Sequence, residues 1–204
     1  MSKPSLRDLK KEATAHALAE AAFELALEHG MNGFVVEDIA QRAGYSRRTF
    51  ANYYSCKEEA VAMVALPFHG FDEGLELVEK MPENITLLDA MYQMMKLQMT
   101  ADYFRIMRQL TLLAKEYPTL YPYILSTQFK QQEMAQDIIT RLFHGRYPEG
   151  YSHLFIGALT GAFRPLHDGS LNVLLPGQSQ DEAPGAITFD AYLDTIFGYL
   201  RNGF

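Results

Sequence analysis

The sequence of 204 residues contains one cysteine, Cys56, and no tryptophan. A single cysteine cannot form an internal disulfide, which excludes a secreted scaffold stapled by disulfides. Apolar runs stay well short of the roughly 18 residues needed for a membrane span, and the start of the sequence lacks the apolar stretch of a signal peptide. These absences predict a soluble cytoplasmic protein without a membrane partner.

Charge of both signs is modest, at 21% of residues, and the net charge of −7 argues at first against nucleic acid as a partner. Its distribution argues the other way. Arg42, Arg47, Arg48 and Lys57 lie within sixteen residues that contain no acid. Such a basic run is typical either of a solvated face or of a surface that binds phosphate.

Apolar residues recur at helical spacing along almost the whole chain, and no strand alternation persists. The spacing predicts a first helix that ends at Gly30, short helices over Val36–Ala43 and Arg47–Tyr53, and a fourth helix opened by a Ser55–Glu58 capping box. Further helices are predicted over 84–100, 102–116, from Pro118 to about 143, over 148–164 and over 187–202. The segment 164–186, rich in proline and glycine, is predicted to be a loop, with a short docked piece at 171–175.

The fold class predicted from this pattern is all-α. Pro67 falls inside the fourth helical pattern, where it removes a backbone hydrogen bond, so we expect a kink or break there. This break divides the chain into a helix-turn-helix domain over 1–66 and a second helical domain over 67–204. Within the first domain, two short helices joined by Gly44-Tyr45-Ser46 are typical of a helix-turn-helix.

A composite motif over about residues 10–65 resembles the N-terminal domain of TetR-type transcriptional repressors. The shared features are a glycine that ends the first helix (Gly30), the pattern Val36-Glu37-Asp38-Ile39-Ala40 with Ala43-Gly44, the run Ser46-Arg47-Arg48-Thr49-Phe50, the pair Tyr53-Tyr54, and Lys57-Glu58-Glu59. The family usually has two threonines where this chain has Phe34 and Val35, so one helix cap worth about 1 kcal/mol and one phosphate contact are expected to be missing.

The residue types of the third helix suit a DNA major groove, where arginine matches guanine and asparagine matches adenine. We expect Arg48 and Asn52 to read bases, while Arg47 suits either a base or a phosphate. Phosphate contacts are expected from Ser46, Thr49, Tyr53 and Lys57, the last two carried over from the resemblance. Ser46 as a mere helix cap and Tyr53 as a core residue remain alternatives, and Tyr54 is expected in the core.

The resemblance also implies a C-terminal domain that binds a small-molecule inducer and forms a homodimer. Methionine and aromatic residues adapt to apolar shapes, which favours an apolar or aromatic inducer, although an ordinary core explains the same residues. The expected pocket residues are Met95, Met99, Tyr103, Met107, Tyr121 and Phe129. The expected dimer interface contains Gly157, Gly161, Leu193, Ile196, Phe197 and Leu200.

Together these features predict a ligand-responsive repressor that binds palindromic double-stranded operator DNA as a homodimer. The alternative is an all-helical small-molecule-binding protein or enzyme that uses a C-terminal pocket. The six histidines show no metal-ligand spacing and no nucleophile, phosphate-binding or dinucleotide motif is present, so no catalytic residue, metal or cofactor is predicted.

Overall fold

The computed structural model describes residues 6–66, 80–82, 84–143 and 145–203, and about three quarters of these residues are helical, with almost no strand. The predicted all-α class is thereby confirmed. The N-terminal helices are α1 (Leu6–His29), α2 (Val36–Arg42), α3 (Arg47–Ala51) and α4 (Lys57–Met63). They are followed by α5 (Leu87–Gln98), α6 (Ala101–Glu116), α7 (Tyr121–Phe143), α8 (Glu149–Asp168) and α9 (Phe189–Asn202). None of these helices is long and apolar enough to cross a membrane.

Local side-chain chemistry fixes several of the helix ends. The hydroxyl of Thr86 accepts a hydrogen bond from the Asp89 amide at the start of α5, and Thr188 does the same at the start of α9. These hydroxyls satisfy amides that have no partner inside the helix. Gly30 and Gly169 end α1 and α8 with φ angles of 65° and 73°, in the left-handed region that favours glycine.

The described residues form two compact units, which differ from the predicted division after residue 66. The N-terminal unit combines α1–α4 with residues 109–130, which are the end of α6, a short 3-10 helix over Pro118–Leu120 and the start of α7. The predicted break at Pro67 lies outside the described residues. Residues 109–130 lie beyond the predicted boundary at residue 66. No pattern in their own sequence predicted that they belong to the N-terminal unit.

The core of the N-terminal unit is rich in small side chains. Ala19, Ala22 and Ala26 of α1 are wholly or almost wholly buried, as is Ala60 of α4. Helices α1 and α4 pack against each other, and α2 contacts both α1 and α3. Small side chains allow such close approach of helix backbones, and this packing positions the short helix α3.

The C-terminal unit, residues 80–108 and 131–203 where described, has a core of leucines, methionines and phenylalanines. The predicted end of the eighth helix at residue 164 was wrong, because α8 continues through Pro165 to Asp168. The predicted docked piece is confirmed, since Val173 and Leu175 are buried in this core. Val173–Leu174 also pairs in parallel with Ile187–Thr188, a two-residue ladder too short to produce a visible alternation.

Candidate nucleic-acid interface

The turn between α2 and α3 has the geometry that its sequence predicts. Gly44 adopts a φ of 76°, and the Tyr45 amide donates to the Ala40 carbonyl at 2.8 Å. Ser46 then caps α3, because its hydroxyl oxygen accepts the Thr49 amide at 3.0 Å. Phe50, 2% exposed, anchors the other face of α3 in the core. The outer face of α3 is therefore held toward solvent.

Tyr54 fastens the end of this motif to the first helix. Its hydroxyl donates to the Ala15 carbonyl at 2.8 Å, and its ring lies 5.7 Å from the Phe50 ring. Burial raises the pKa of the Tyr54 phenol, so the group stays neutral and keeps donating. The expectation that Tyr54 belongs to the core is confirmed, whereas Tyr53 beside it is half-buried.

Arg42 fixes the end of α2 to α1 through an ion pair. Its guanidinium donates two hydrogen bonds to the Glu28 carboxylate, at 2.8 and 2.6 Å, and lies 3.8 Å from Glu24. Hydrogen bonding to Arg42 holds the pKa of Glu28 below its usual range. Because both nitrogens of this fork are already paired, Arg42 acts as a structural cation in this arrangement.

Lys57 occupies a more enclosed position than the sequence indicates. Its ammonium donates to the Met31 and Phe34 carbonyls, the second at 2.9 Å, and lies 4.9 Å from the centre of the Phe34 ring. These contacts tie the start of α4 to the loop between α1 and α2. An ammonium has three donors, so the phosphate contact expected from Lys57 stays a prediction that this geometry restricts to one remaining hydrogen.

Arg48 and Asn52 lie on the outer face of the motif, four residues apart and therefore on the same side. Both are exposed, and within the described residues neither has an ion pair or side-chain hydrogen bond. Arg47, at the first position of α3, instead lies 3.0 Å from the Glu37 carboxylate of α2. Of the predicted base-reading residues, Arg48 and Asn52 are thus the two that are free to contact a ligand.

The expected phosphate contacts Ser46 and Thr49 are engaged with each other, their hydroxyl oxygens 2.9 Å apart. At the start of α2, Val35 offers no side-chain cap, which confirms the expected loss. The Asp38 carboxylate partly compensates by accepting the Val35 amide at 2.8 Å. Val35 is 56% exposed, so this corner presents an apolar side chain where a threonine would present a hydroxyl.

The predicted Ser55–Glu58 capping box was wrong by one residue. The α4 cap is Cys56, whose sulfur accepts the Glu59 amide at 3.4 Å, while the Glu59 carboxylate accepts the Ser55 amide at 2.8 Å and the Ser55 hydroxyl at 2.7 Å. A thiol is a weaker acceptor than a hydroxyl, which is why the residue types alone favoured Ser55 as the cap.

The predicted pocket residues fall into two groups. Met95, Met99 and Tyr103 are partly buried against the core of the C-terminal unit, and Met107 is buried. Tyr121 and Phe129 belong to the N-terminal unit and are exposed, Phe129 at 64%. Two cavities of about 320 Å³ each, both within the N-terminal unit, include none of the six. The six predicted pocket residues are therefore divided between the two units.

A polar pair within the C-terminal core was missed by the sequence analysis. The Tyr103 hydroxyl lies 3.1 Å from Nε2 of His167. Both rings stand in tilted or edge-on contact with Phe104, whose other face meets Phe189. Burial lowers the pKa of His167 to about 4, so this histidine is neutral at pH 7. The two residues are 64 positions apart, and no spacing rule connects them.

The predicted interface residues of α8 and α9 also separate by burial. Leu193 and Phe197 have no exposed surface, Ile196 has little, and Leu200 packs against the same core. In this arrangement Leu193 and Phe197 supply no surface to a second copy, because α9 directs them into its own subunit. Gly157 and Gly161 are exposed, and an added Cβ at either would meet no atom of the described residues within 4 Å.

The exposed faces of these helices carry other large side chains. Leu154 of α8 is 71% exposed and Tyr199 of α9 is 59% exposed. Leu154 precedes Gly157 by three positions and Gly161 by seven, so the three share a helix face. The helical spacing of α8 places Leu154 with the two glycines, whereas the residues predicted on α9 form a stripe that its own subunit largely covers.

Comparison with known proteins agrees with the geometry of the N-terminal unit. Residues 18–62 match the model of the family described as bacterial regulatory proteins, tetR family. A candidate transcriptional regulator of mycofactocin biosynthesis, MftR from Mycobacterium tuberculosis, is 33% identical over 76 residues, which span 37% of this chain and 35% of that protein. The match therefore spans about a third of the relative's length.

A solved structure extends the likeness of fold to nearly the whole chain. The crystal structure of a candidate TetR-family transcriptional regulator from Mesorhizobium loti aligns with a TM-score of 0.50 at 17% identity, covering 93% of this chain and 95% of the other. At that identity the alignment shows the fold alone. The likeness to TetR-family regulators in sequence is thus confined to the N-terminal part of the chain, which contains the helix-turn-helix.

Proposed function

We propose that this chain, a transcriptional regulator of the TetR family, binds palindromic operator DNA as a homodimer and releases it when a small molecule binds. The proposal rests on Arg48 and Asn52, which are exposed and have no side-chain partner within the described residues. The other face of the same motif is anchored in the core. Phe50 and Tyr54 hold α3 through the core and through the Ala15 carbonyl. A helix that is already held in position loses little conformational freedom when it binds, so it suits the recognition of base edges.

Each exposed residue has a distinct role in this proposal. The Arg48 guanidinium donates to O6 and N7 of a guanine, and the Asn52 amide pairs with N6 and N7 of an adenine. Ser46, Thr49 and Tyr53 surround this pair and bind phosphate oxygens, which position the helix without reading sequence. The third hydrogen of the Lys57 ammonium contributes a further phosphate contact.

The homodimer of the proposal uses the exposed face of α8 and the adjoining face of α9. Gly157 and Gly161 have no packing role inside the subunit, since the space above each is open. Glycine in a helix interior costs about 1 kcal/mol relative to alanine, and a close contact with a second copy accounts for that cost. Leu154 and Tyr199 supply apolar surface beside the glycines.

Release follows from a shift in population between two states of the dimer. In one state the two reading helices are about 34–36 Å apart, which is one turn of DNA. An apolar or aromatic ligand favours another spacing by binding among the methionine and aromatic side chains of the C-terminal unit. The Tyr103–His167 pair is the polar group in that core to which a ligand hydroxyl or carbonyl would hydrogen-bond.

Selection of duplexes from a random pool, followed by titration at several salt concentrations, tests the DNA-binding proposal. We expect a palindrome with half-sites about 10 base pairs apart, bound more tightly than its scrambled version, with affinity that falls steeply as salt rises. Failure to select any duplex, or an affinity independent of salt, would instead favour the C-terminal small-molecule-binding role without DNA.

Replacement of Gly161 by alanine and then by leucine tests the dimer. An added Cβ meets none of the described residues within 4 Å and the position is exposed, so we expect the fold to persist while the contact with a second copy is lost in proportion to size, by about 1–3 kcal/mol for leucine. Sedimentation should show more monomer in that order, with operator binding falling in parallel. A leucine variant that remains dimeric would place the interface elsewhere.

A further inference from the structure

The acid-free basic run is less available to DNA than its charge indicates. Arg42 is paired with carboxylates and Lys57 with backbone carbonyls, so both stabilise the fold. Arg47 is paired with Glu37. Within the described residues of this run, Arg48 is the one basic side chain without an ion pair or hydrogen bond. The ion pair of Arg47 with Glu37 differs from the contacts of Arg42 and Lys57, because it anchors no element to the core.

The Arg47–Glu37 pair stands on the outer surface beside the reading residues. Nη1 of Arg47 lies 3.0 Å from Oε1 of Glu37, and the two side chains are 74% and 53% exposed. Arg47 is the first residue of α3, the end of the helix that enters the groove in this motif. In the proposed complex with DNA, the Glu37 carboxylate would therefore lie near the phosphates that flank the groove.

An exposed ion pair of this kind shifts an equilibrium by at most about five-fold in water. Phosphate is a competing anion for the same guanidinium, and each phosphate contact adds about 0.9 to the slope of log affinity against log salt. While the Arg47 guanidinium is paired with Glu37, it makes no contact with a phosphate. The Glu37 carboxylate also repels the DNA backbone. Base contacts from Arg48 and Asn52 are unaffected, since neither side chain touches Glu37.

We infer that Glu37 limits the sequence-independent part of DNA affinity by holding Arg47 away from phosphate. The inference rests on the proposed DNA-binding function and assigns the undecided residue Arg47 to phosphate. A lower sequence-independent affinity leaves less of the protein on unrelated DNA, where competing sites greatly outnumber operators. Glu37 thus influences the ratio of sequence-specific affinity, which comes from base contacts, to sequence-independent affinity, which comes from attraction to phosphates.

Fluorescence anisotropy on four proteins tests this inference: wild type, Glu37→Gln, Arg47→Ala and the double variant. Each is titrated with the selected operator and with an unrelated duplex over a range of salt. Glu37→Gln should bind both duplexes about two- to five-fold more tightly at moderate salt, with a slope steeper by about 0.9 per protomer. The double variant should bind like Arg47→Ala alone, because the gain requires the freed arginine.

Glu12→Gln is the matched control, since Glu12 is an exposed acid of α1 in the same unit, with no ion pair to Arg47. An equal gain from Glu12→Gln, or a gain that persists without Arg47, would overturn the inference in favour of a bulk charge effect. A gain confined to the operator, or unchanged affinity and slope in Glu37→Gln, would overturn it as well. Wild-type protein that binds no duplex would reject the proposed function itself, a result distinct from these.

Discussion

Both units bury leucine and phenylalanine side chains, but the core of the N-terminal unit contains more alanines. Helix α1 buries Ala19, Ala22 and Ala26 in the N-terminal unit, whereas the C-terminal core buries Phe104 and Phe197 among leucines and methionines. Small side chains bring backbones close and leave few alternative packings. Long methionines and aromatic rings fill irregular spaces and can repack. The contrast predicts a core that resists repacking in the N-terminal unit and one that repacks more readily in the C-terminal unit.

The two units can also be compared by the contacts of their polar side chains. In the N-terminal unit they act at the edge of the core as fixed links, such as Tyr54 to Ala15 and Arg42 to Glu28. In the C-terminal unit, Tyr103 and His167 form a neutral pair among aromatic rings. The C-terminal unit has links of the first kind as well, such as Tyr192 to the Ala162 carbonyl, so the half-buried Tyr103–His167 pair is what distinguishes it.

The substitution with the largest expected effect tests how closely the core of the N-terminal unit is packed. Phe50→Ala should lower the free energy of unfolding by about 3–5 kcal/mol, because it removes a ring that is 2% exposed and leaves a cavity in the core. Urea denaturation followed by circular dichroism measures the loss, and Phe50→Leu, which keeps most of the volume, is the control. A loss below about 1 kcal/mol would mean that this core repacks as readily as the other.

The next effect tests the neutral pair through its pH dependence. Because burial lowers the pKa of His167 from 6.5 to about 4, the unfolded chain binds a proton between these pH values that the folded chain does not. Stability should therefore fall as pH drops from about 6.5 to 4, by up to about 3 kcal/mol from this group. Nearby Asp168 favours the charged form and moderates the effect.

Urea titrations at pH 7 and pH 4.5 on wild type and His167→Gln isolate that contribution, since glutamine can accept a hydrogen bond from Tyr103 but does not titrate. The variant should lose less stability on acidification than wild type. Identical losses would show that His167 is not kept neutral by burial, and the contrast between the two units would lose its electrostatic part.

The sequence predicted the elements whose causes are local. Gly44 supplies the positive φ of the turn, Ser46 the cap and Phe50 the apolar anchor, all within seven residues. The Val35 position likewise revealed its missing cap. These features follow from the chemistry of neighbouring residues, and they are also those that the family resemblance covers.

What the sequence did not predict depends on contacts between distant residues. The Tyr103–His167 pair and the hydrogen bonds of Lys57 to the carbonyls of residues 31 and 34 join segments that no periodicity relates. The inclusion of residues 109–130 in the N-terminal unit is of the same kind. The burial of Leu193 and Phe197 within their own subunit was not predicted either, because an amphipathic helix shows which residues are apolar, but not whether its own subunit or a second copy covers them.

The most direct test of the account is the affinity of Arg48→Ala for the selected operator and for its single-base-pair variants. The account predicts a loss of about 1–3 kcal/mol on the operator. It also predicts that discrimination disappears at one guanine position in each half-site, with little change on unrelated DNA. An Arg48→Ala protein that discriminates at every position as wild type does would contradict the claim that this exposed arginine reads the operator.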